Sequence, residues 1–458
     1  EMVQGKQNFG NAFHVANDNW KSIHNPISED MIRTGANIPS IMSNEDVYYN
    51  NSTGKFKTDN MKNFHNLFVK RSLIKGVTNR GDTLIDYACG KAGDLPKWID
   101  AQLSFVFGVD IHKDNLENRS NGACARVLNM RKKNKFVPDT LFVNGNSSNN
   151  IVDGSAMLND KAKQITGAVF GKIPKDPKVL DKAVVRLYGK GADGFNVSSC
   201  QFALHYFLES PDTLKGFMKN LAECTKMDGY FIGTAYDGKK IFELLRDKEK
   251  GESMQIVQDD VKVWEVTKQY TNGTFNEDNS SSIGYRIDVY QDSINKIFSE
   301  YLVNFDYLNK VMSLYGFELI DRMTAGKFGL PNASGLFDEL FRSMQIELKK
   351  SKSRGNEYGT AASMSEYEKR ISFLNRYFVY KKVRTVIPDQ IVLGTEDFEQ
   401  TQINREPVLQ EPKKKKVNAK AKANPKPTIR PLSGKMKLVG DVDEKKVKLV
   451  VEDDSDTD

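Results

Sequence analysis

The sequence predicts a doubly wound α/β fold around a mostly parallel sheet, and three observations carry that prediction. Short β-rich runs alternate with helix-length stretches from residue 83 to residue 383. The runs are apolar throughout, as strands buried on both faces must be. The first of them stops at an acid followed by closely spaced glycines, the place where open α/β sheets hold their ligands.

In order, the predicted strands are TLIDYA (83 to 88), FVFGVDI (105 to 111), TLFVNG (140 to 145), FNVSSC (195 to 200), YFIGTA (230 to 235) and YFVYKKV (377 to 383). KDNLENRSNGACARVLNMRKK (113 to 133) and DTLKGFMKNLAECTKM (212 to 227) have helical length and composition. Residues 148 to 190 are an insertion between the third and fourth strands, expected to fold as one or two helices against the sheet.

Composition narrows the class. A chain of 458 residues, 39% of them hydrophobic, can bury a large core. Its four cysteines, Cys89, Cys124, Cys200 and Cys224, are scattered, with no C-x-x-C pair, so neither a zinc site nor a disulfide framework is suggested and a reducing compartment fits best. No apolar run approaches the roughly 18 residues that a membrane span needs. The net charge of +7 is unevenly placed: residues 411 to 437 are rich in Lys and Arg, and acids dominate from Asp441 onward. Residues 387 to 458, almost without aromatics, are expected to be a disordered basic-then-acidic tail. PKKKKV (412 to 417) suits a nuclear import signal, a non-specific RNA-binding arm or a solubilising tail. Residues 1 to 44 read as an extension or linker, and a first residue other than Met fits the later part of a longer polypeptide.

The stretch IDYACGKAGDLPK (85 to 97) carries the first chemistry. A phosphate-cradling P-loop requires Ser or Thr after Gly-Lys to reach magnesium, and Ala92 follows Lys91 here. A dinucleotide fingerprint requires G-x-G-x-x-G, which the spacing of Gly90 and Gly93 does not match. The third reading fits: a strand ending in Asp86, small residues at 88, 90 and 93, then a second strand ending in Asp110. Small residues let the backbone approach the amino-acid end of S-adenosylmethionine, and a carboxylate closing the next strand can accept from a ribose diol. Another nucleotide-binding protein of this fold, or a structural turn, stays open at this point.

CQFALHY (200 to 206) after the fourth strand and KNFHNLFVKRSLI (62 to 74) before the first change that balance. With DYACGKAGDLPKW, GYFIGTAYDGKKI (229 to 241), SEYLVNFDYLNKVMSLYGFELI (299 to 320) and FLNRYFVYKK (373 to 382), they resemble the mRNA cap guanine-N7 methyltransferases over residues 45 to 386. The likeness is greatest to the methyltransferase domain of the capping enzymes of large DNA viruses.

The resemblance implies a Rossmann-like class I S-adenosylmethionine-dependent methyltransferase with a seven-stranded sheet, transferring methyl to guanine N7 of the cap. It implies cofactor contacts by Lys70, Asp86, Gly90, Gly93, Asp110, Asn146 and Gln201. Asn146 stands where many relatives have Asp. Cap contacts are implied for Asn66, Lys91, Arg126, Phe202, His205, Tyr206, Glu300 and Tyr377, with Tyr380 the rival of Tyr377. Asn66 and Lys70, four apart, share a face if that stretch is α-helical. No general base, nucleophile or metal is expected, because N7 carries an exposed lone pair and a sulfonium is already a good electrophile. Expected partners are the 5′ end of mRNA, a small activating subunit, and upstream triphosphatase and guanylyltransferase domains. The expected location is the host cytoplasm or the virion, with the nucleus open from PKKKKV. An inactive cap-binding subunit, or a methyltransferase for another substrate, are the alternatives.

Overall fold

The computed structural model describes residues 56–276 and 279–393, the side chains of 352 to 354 excepted. The expectations for residues 1 to 44 and for the charged tail beyond 393 therefore lie outside the described residues. The chain remains packed further than the predicted tail boundary at 387: Ile391 is buried, and Asp389 takes an ion pair from Lys219 at 2.6 Å.

Strands β1 (Thr83–Asp86), β2 (Phe105–Asp110), β3 (Asp139–Asn144), β4 (Phe195–Gln201) and β5 (Thr225–Tyr236) fall on the first five predicted runs. All pair in parallel, in the order β3-β2-β1-β4-β5. A second, antiparallel sheet then follows, made of β6 (Ser253–Gln258), β7 (Val261–Lys268), β8 (Arg286–Gln291) and β9 (Lys296–Tyr301). The chain returns to the main sheet with β10 (Phe317–Leu319), β11 (Ser334–Leu336) and β12 (Asn375–Lys382). β12 pairs antiparallel with β5 on one edge, and its other edge is shared by β10 and β11. The expected seven positions are present, with an eighth short strand at the outer edge and an unforeseen second sheet.

Alternate residues of the main strands feed opposite cores, as a period of two requires. Leu84, Tyr377 and Val379 enter one core, which also receives Val263, Trp264 and Val266 of the second sheet. Ile85, Phe378 and Tyr380 enter the other, beneath the Pro211–Cys224 and Phe305–Leu314 helices. Both faces being covered explains why these strands read as continuous apolar runs.

Two helical expectations are refined. Residues 113 to 133 form two helices, Lys113–Glu117 and Ala123–Lys133, broken where the Gly122 amide donates to Asn118 O at 2.9 Å. The 148 to 190 insertion holds helices Asp160–Val169 and Lys182–Arg186, which share a small core around Ala168, Leu180 and Val184. The approach to β1 also departs from a plain α-helix: Asp59–Asn63 and Lys70–Val77 are α-helical, and Phe64–Val69 between them is a π-helical turn. Such turns are rare and recur at functional sites.

Candidate active site

The site lies at the carboxyl ends of the parallel strands, and β1 begins it. Asp86, its last residue, is buried, and its carboxyl accepts from the Ala88 amide at 3.2 Å. Burial, then the Asp94 charge, push Asp86 up to about 8. In the loop that follows, Gly90 and Ala92 both hold positive φ, of 51° and 53°. That turn aims the Gly90 amide at Asp110 Oδ2, 2.7 Å away at the end of β2, while Oδ1 accepts from the His112 amide and Asn115 Nδ2. Burial raises the Asp110 carboxyl despite these three bonds. A Cβ at Gly93 would meet nothing within 4 Å, so the backbone there is open to a ligand.

A buried charge cluster backs the loop. Asp94 lies 2.8 Å from Lys97 Nζ and 3.4 Å from Lys70 Nζ. Against the upward push of burial, those two ammonium groups hold Asp94 at about 2. Lys97, which sequence reasoning passed over, is thus the second cation of the cluster; its spacing of three from Asp94 on a helical stretch was the available signal. Lys70 also lies 5.4 Å from the centre of the Phe202 ring. Asn66 does not join it: within the π-helical turn its Nδ2 donates to Lys62 O at 3.0 Å. The neighbouring His65 points inward instead, stacked on Phe202 with centroids 5.2 Å apart.

Asn146, after β3, begins a turn in which its Oδ1 accepts from the Ser148 amide at 2.9 Å. That turn is clamped by a residue the sequence did not flag. Asn220, buried in the Pro211–Cys224 helix, donates to Ser147 O and Asn149 O at 2.8 and 2.6 Å and accepts from the Ile151 amide at 2.8 Å. Gly216, one turn earlier, sits so close that an added Cβ would overlap the Ser148 carbonyl. Gly216→Ala should therefore destabilise the protein by about 1–2 kcal/mol, although alanine is the better helix former by about 1 kcal/mol. A raised melting midpoint in this variant would show that the turn is not clamped.

β4 ends at Gln201, whose Oε1 accepts from Thr234 Oγ1 at 3.2 Å. Phe202 follows at φ 55°, a left-handed conformation unusual for an aromatic residue, held by its amide donating to Thr234 O at 2.9 Å. The short helix Leu204–Leu208 then carries His205 and Tyr206, whose rings meet edge to face at 4.2 Å.

Glu300 arrives on β9 of the second sheet. Its Oε2 lies 3.6 Å from His205 Nδ1, too long for a hydrogen bond, and among the described residues neither that oxygen nor either His205 ring nitrogen has a hydrogen-bond partner. Glu300 is 9% exposed and His205 4%. Burial raises the Glu300 carboxyl to about 8 and lowers His205 to about 3, so at neutral pH both are largely uncharged. Tyr236, at the end of β5, accepts from Trp264 Nε1 at 3.0 Å, and burial and then Glu300 push its phenol up. Tyr236 was quoted within a motif but given no role; its position at the carboxyl end of β5 was the signal.

Of three further implied cap contacts, Lys91 and Tyr377 are engaged within the protein and Arg126 is exposed. Lys91 is buried, donating to Asn121 Oδ1 at 3.0 Å with Asp114 3.7 Å away. Arg126 is exposed, its Nε donating to Asn121 O at 3.1 Å. Tyr377 lies opposite Thr234, beside the site, but is buried with its hydroxyl bonded to Asn332 O at 3.2 Å. The rival Tyr380 faces the other core and donates to Asn309 Oδ1 at 2.6 Å.

The profile of the mRNA (guanine-N(7))-methyltransferase domain matches residues 50–383. The chain belongs to that family. A probable mRNA-capping enzyme of Acanthamoeba polyphaga mimivirus is 25% identical over 412 residues, covering 82% of this chain and 33% of that protein. The mRNA cap guanine-N(7) methyltransferase of Saccharomyces cerevisiae is 25% identical over 334 residues, 72% of this chain and 66% of that protein. That of Drosophila melanogaster is 28% identical over 280 residues, 58% and 54% respectively. This cap methyltransferase family member thus spans about a third of the viral relative's length and no more than about two thirds of these two cellular ones. Among its described residues, no helix is long and apolar enough to cross a membrane.

Proposed function

We propose that this chain transfers a methyl group from S-adenosylmethionine to N7 of the guanosine cap of mRNA. The observation that carries the reading is the pair of buried, unpartnered groups at Glu300 and His205. Buried polar atoms without partners are rare in native proteins, and a ligand that completes them is a sufficient reason for them. Guanine offers the complement: its N1–H and 2-amino group can donate to the two oxygens of Glu300, and its O6 can accept from a His205 ring nitrogen.

When bound, S-adenosylmethionine supplies an electrophilic methyl group on a sulfonium. The residues fit it: the open backbone at Gly93, Asp110 at the end of β2, and the excess cation of the Lys70–Asp94–Lys97 cluster for its carboxylate. That methyl would pass to the exposed guanine N7 lone pair, with the bonding pair left on sulfur, so the transfer itself asks no residue of this chain to move a proton. Glu300 and His205 orient the base, the second sheet excludes water, and alignment supplies the rate. His205, neutral throughout the working range, acts as a hydrogen-bonding group and not as a charge.

We extend the proposal to partners. The chain acts beside triphosphatase and guanylyltransferase activities, a reading supported by the relative named a capping enzyme, of which it covers a third. Methyl transfer should be seen with GpppA and not with ApppA, the product carrying its label on guanine N7. Equal labelling of ApppA would overturn the assignment of the base pocket.

A further inference from the structure

We propose that the helix Ala123–Lys133 and the loop after it form a track for the first nucleotides of a single-stranded transcript, leading away from the methyl-transfer site. The inference rests on the proposed cap activity and concerns the RNA body behind the cap.

The track begins in charge. Residues 118 to 138 contain six cations, Arg119, Arg126, Arg131, Lys132, Lys133 and Lys135, and no acid. All six are exposed. Cations in the last turn of a helix offset its dipole, which accounts for Arg131, Lys132 and Lys133 but not for the other three. Asp139 at the start of β3 engages only Arg131, at 3.8 Å, together with Arg186 from the insertion at 2.7 Å. Lys132, Lys133 and Lys135 make no ion pair among the described residues.

Shape agrees with charge. Arg126, Asn129, Met130 and Lys133, spaced along one face of the helix, wall a cavity of about 270 Å³. Ala92 and Gly93 of the loop after β1, and Leu95 and Pro96 of the helix that follows it, complete the lining, so the cavity lies beside the backbone that the methyl donor would approach. Three residues past Lys133 stands Phe136, 44% exposed. With Arg80, Gly81, Gln102 and Ser104 it lines a second cavity of about 220 Å³, at the amino ends of β1 and β2. Arg126 and Lys133 on the cavity face, further cations around the end of the helix, and an exposed aromatic ring that shares its cavity with Arg80 make up the chemistry that holds single-stranded nucleic acid: phosphates on the cations, an unstacked base on the ring. Duplex RNA cannot present a base face to Phe136, so the track selects single strands.

The test compares the full chain with a Lys132→Ala/Lys133→Ala/Lys135→Ala variant and with Phe136→Ala, on GpppA and on a capped ten-nucleotide single strand. In the unaltered protein the longer substrate should have the lower KM. The triple variant should raise the KM of the ten-mer roughly tenfold or more and reduce the salt dependence of its binding by about 0.7 per lost phosphate contact. Phe136→Ala should weaken the ten-mer about five- to tenfold with the salt slope unchanged, and Phe136→Trp should restore it. In each variant kcat, and the KM for GpppA, should stay as they were. Direct binding of uncapped ten-mer, with duplex RNA as a poorer competitor, reads the track without methyl transfer, so a failure of the cap reading is seen separately as absent labelling of GpppA. Equal affinity of parent and variants for the ten-mer, or parallel losses on GpppA and ten-mer, would overturn the track.

Discussion

Glu300→Ala is expected to lose between about 30- and 1000-fold in kcat/KM on capped RNA, roughly 2–4 kcal/mol, while affinity for S-adenosylmethionine measured by calorimetry stays within about twofold. The loss is large because the carboxyl is buried beside His205 and holds a free acceptor at Oε2. Removing it strands two guanine donors in a buried site. A collapse of cofactor affinity in a folded variant would place Glu300 on the donor side instead.

The same residue sets the pH profile. Its cap-free value of about 8 lies above the ordinary carboxyl range, so the empty pocket keeps the proton below that pH. Two guanine donors need the carboxylate, and docking must then release a proton. Cap affinity should therefore climb with pH, by up to tenfold per unit, and level off above about 8. Stability runs the other way: a raised value in the folded state favours the fold fully below the ordinary carboxyl range, and that contribution is lost as pH rises through about 8. Glu300→Gln should flatten both profiles. An unchanged pH dependence of cap affinity in that variant would assign the titration to another group.

The second large effect is expected at Asp110. Its two oxygens accept from the amides of Gly90 and His112 and from Asn115, so the residue shapes the loop after β1, and we propose that it also meets the ribose diol of the donor. Asp110→Ala removes a charged acceptor, and S-adenosylmethionine affinity should fall about 100-fold, on the order of 3 kcal/mol. Cap affinity, measured with the donor absent, should change little. Asp110→Asn keeps one acceptor oxygen and should fall between. Circular dichroism melts separate this from unfolding, and a folded Ala variant that binds the donor normally would remove Asp110 from the cofactor site.

Much of this architecture was legible in the sequence because strands buried on both faces announce themselves. β1 and β2 are buried at every position, and β4 and β12 at all but one and two, so their central residues carry no solvent-facing alternation. The second sheet was not legible for the converse reason. β7 has the burial of a strand with one wet face, with exposed Val261 and half-buried Glu265 and Thr267 between Val263, Trp264 and Val266 of the core. Its hairpin turns on Asp259 and Asp260, both at positive φ, a pair less conspicuous than Asn-Gly. The π-helical turn at Phe64–Val69 has no local signature at all, and it decides that His65 rather than Asn66 faces Phe202. The engagement of Lys91 with Asp114 and Asn121 was not legible because they lie in a separate helix and loop, close to it only once the sheet has folded.

The four-stranded sheet divides the labour of the molecule along the chain. Every residue placed at the methyl donor belongs to the first five strands and the segments adjoining them, whereas the acid facing His205 sits on β9, inside a contiguous segment that leaves the main sheet after β5 and rejoins it at β10. The base pocket is therefore assembled across that boundary, with His205 supplied by the main-sheet half and Glu300 by the excursion. A chimera exchanging residues 253 to 301 between family members should therefore keep the host's donor affinity, and keep cap affinity only where the incoming acid again meets the host's His205.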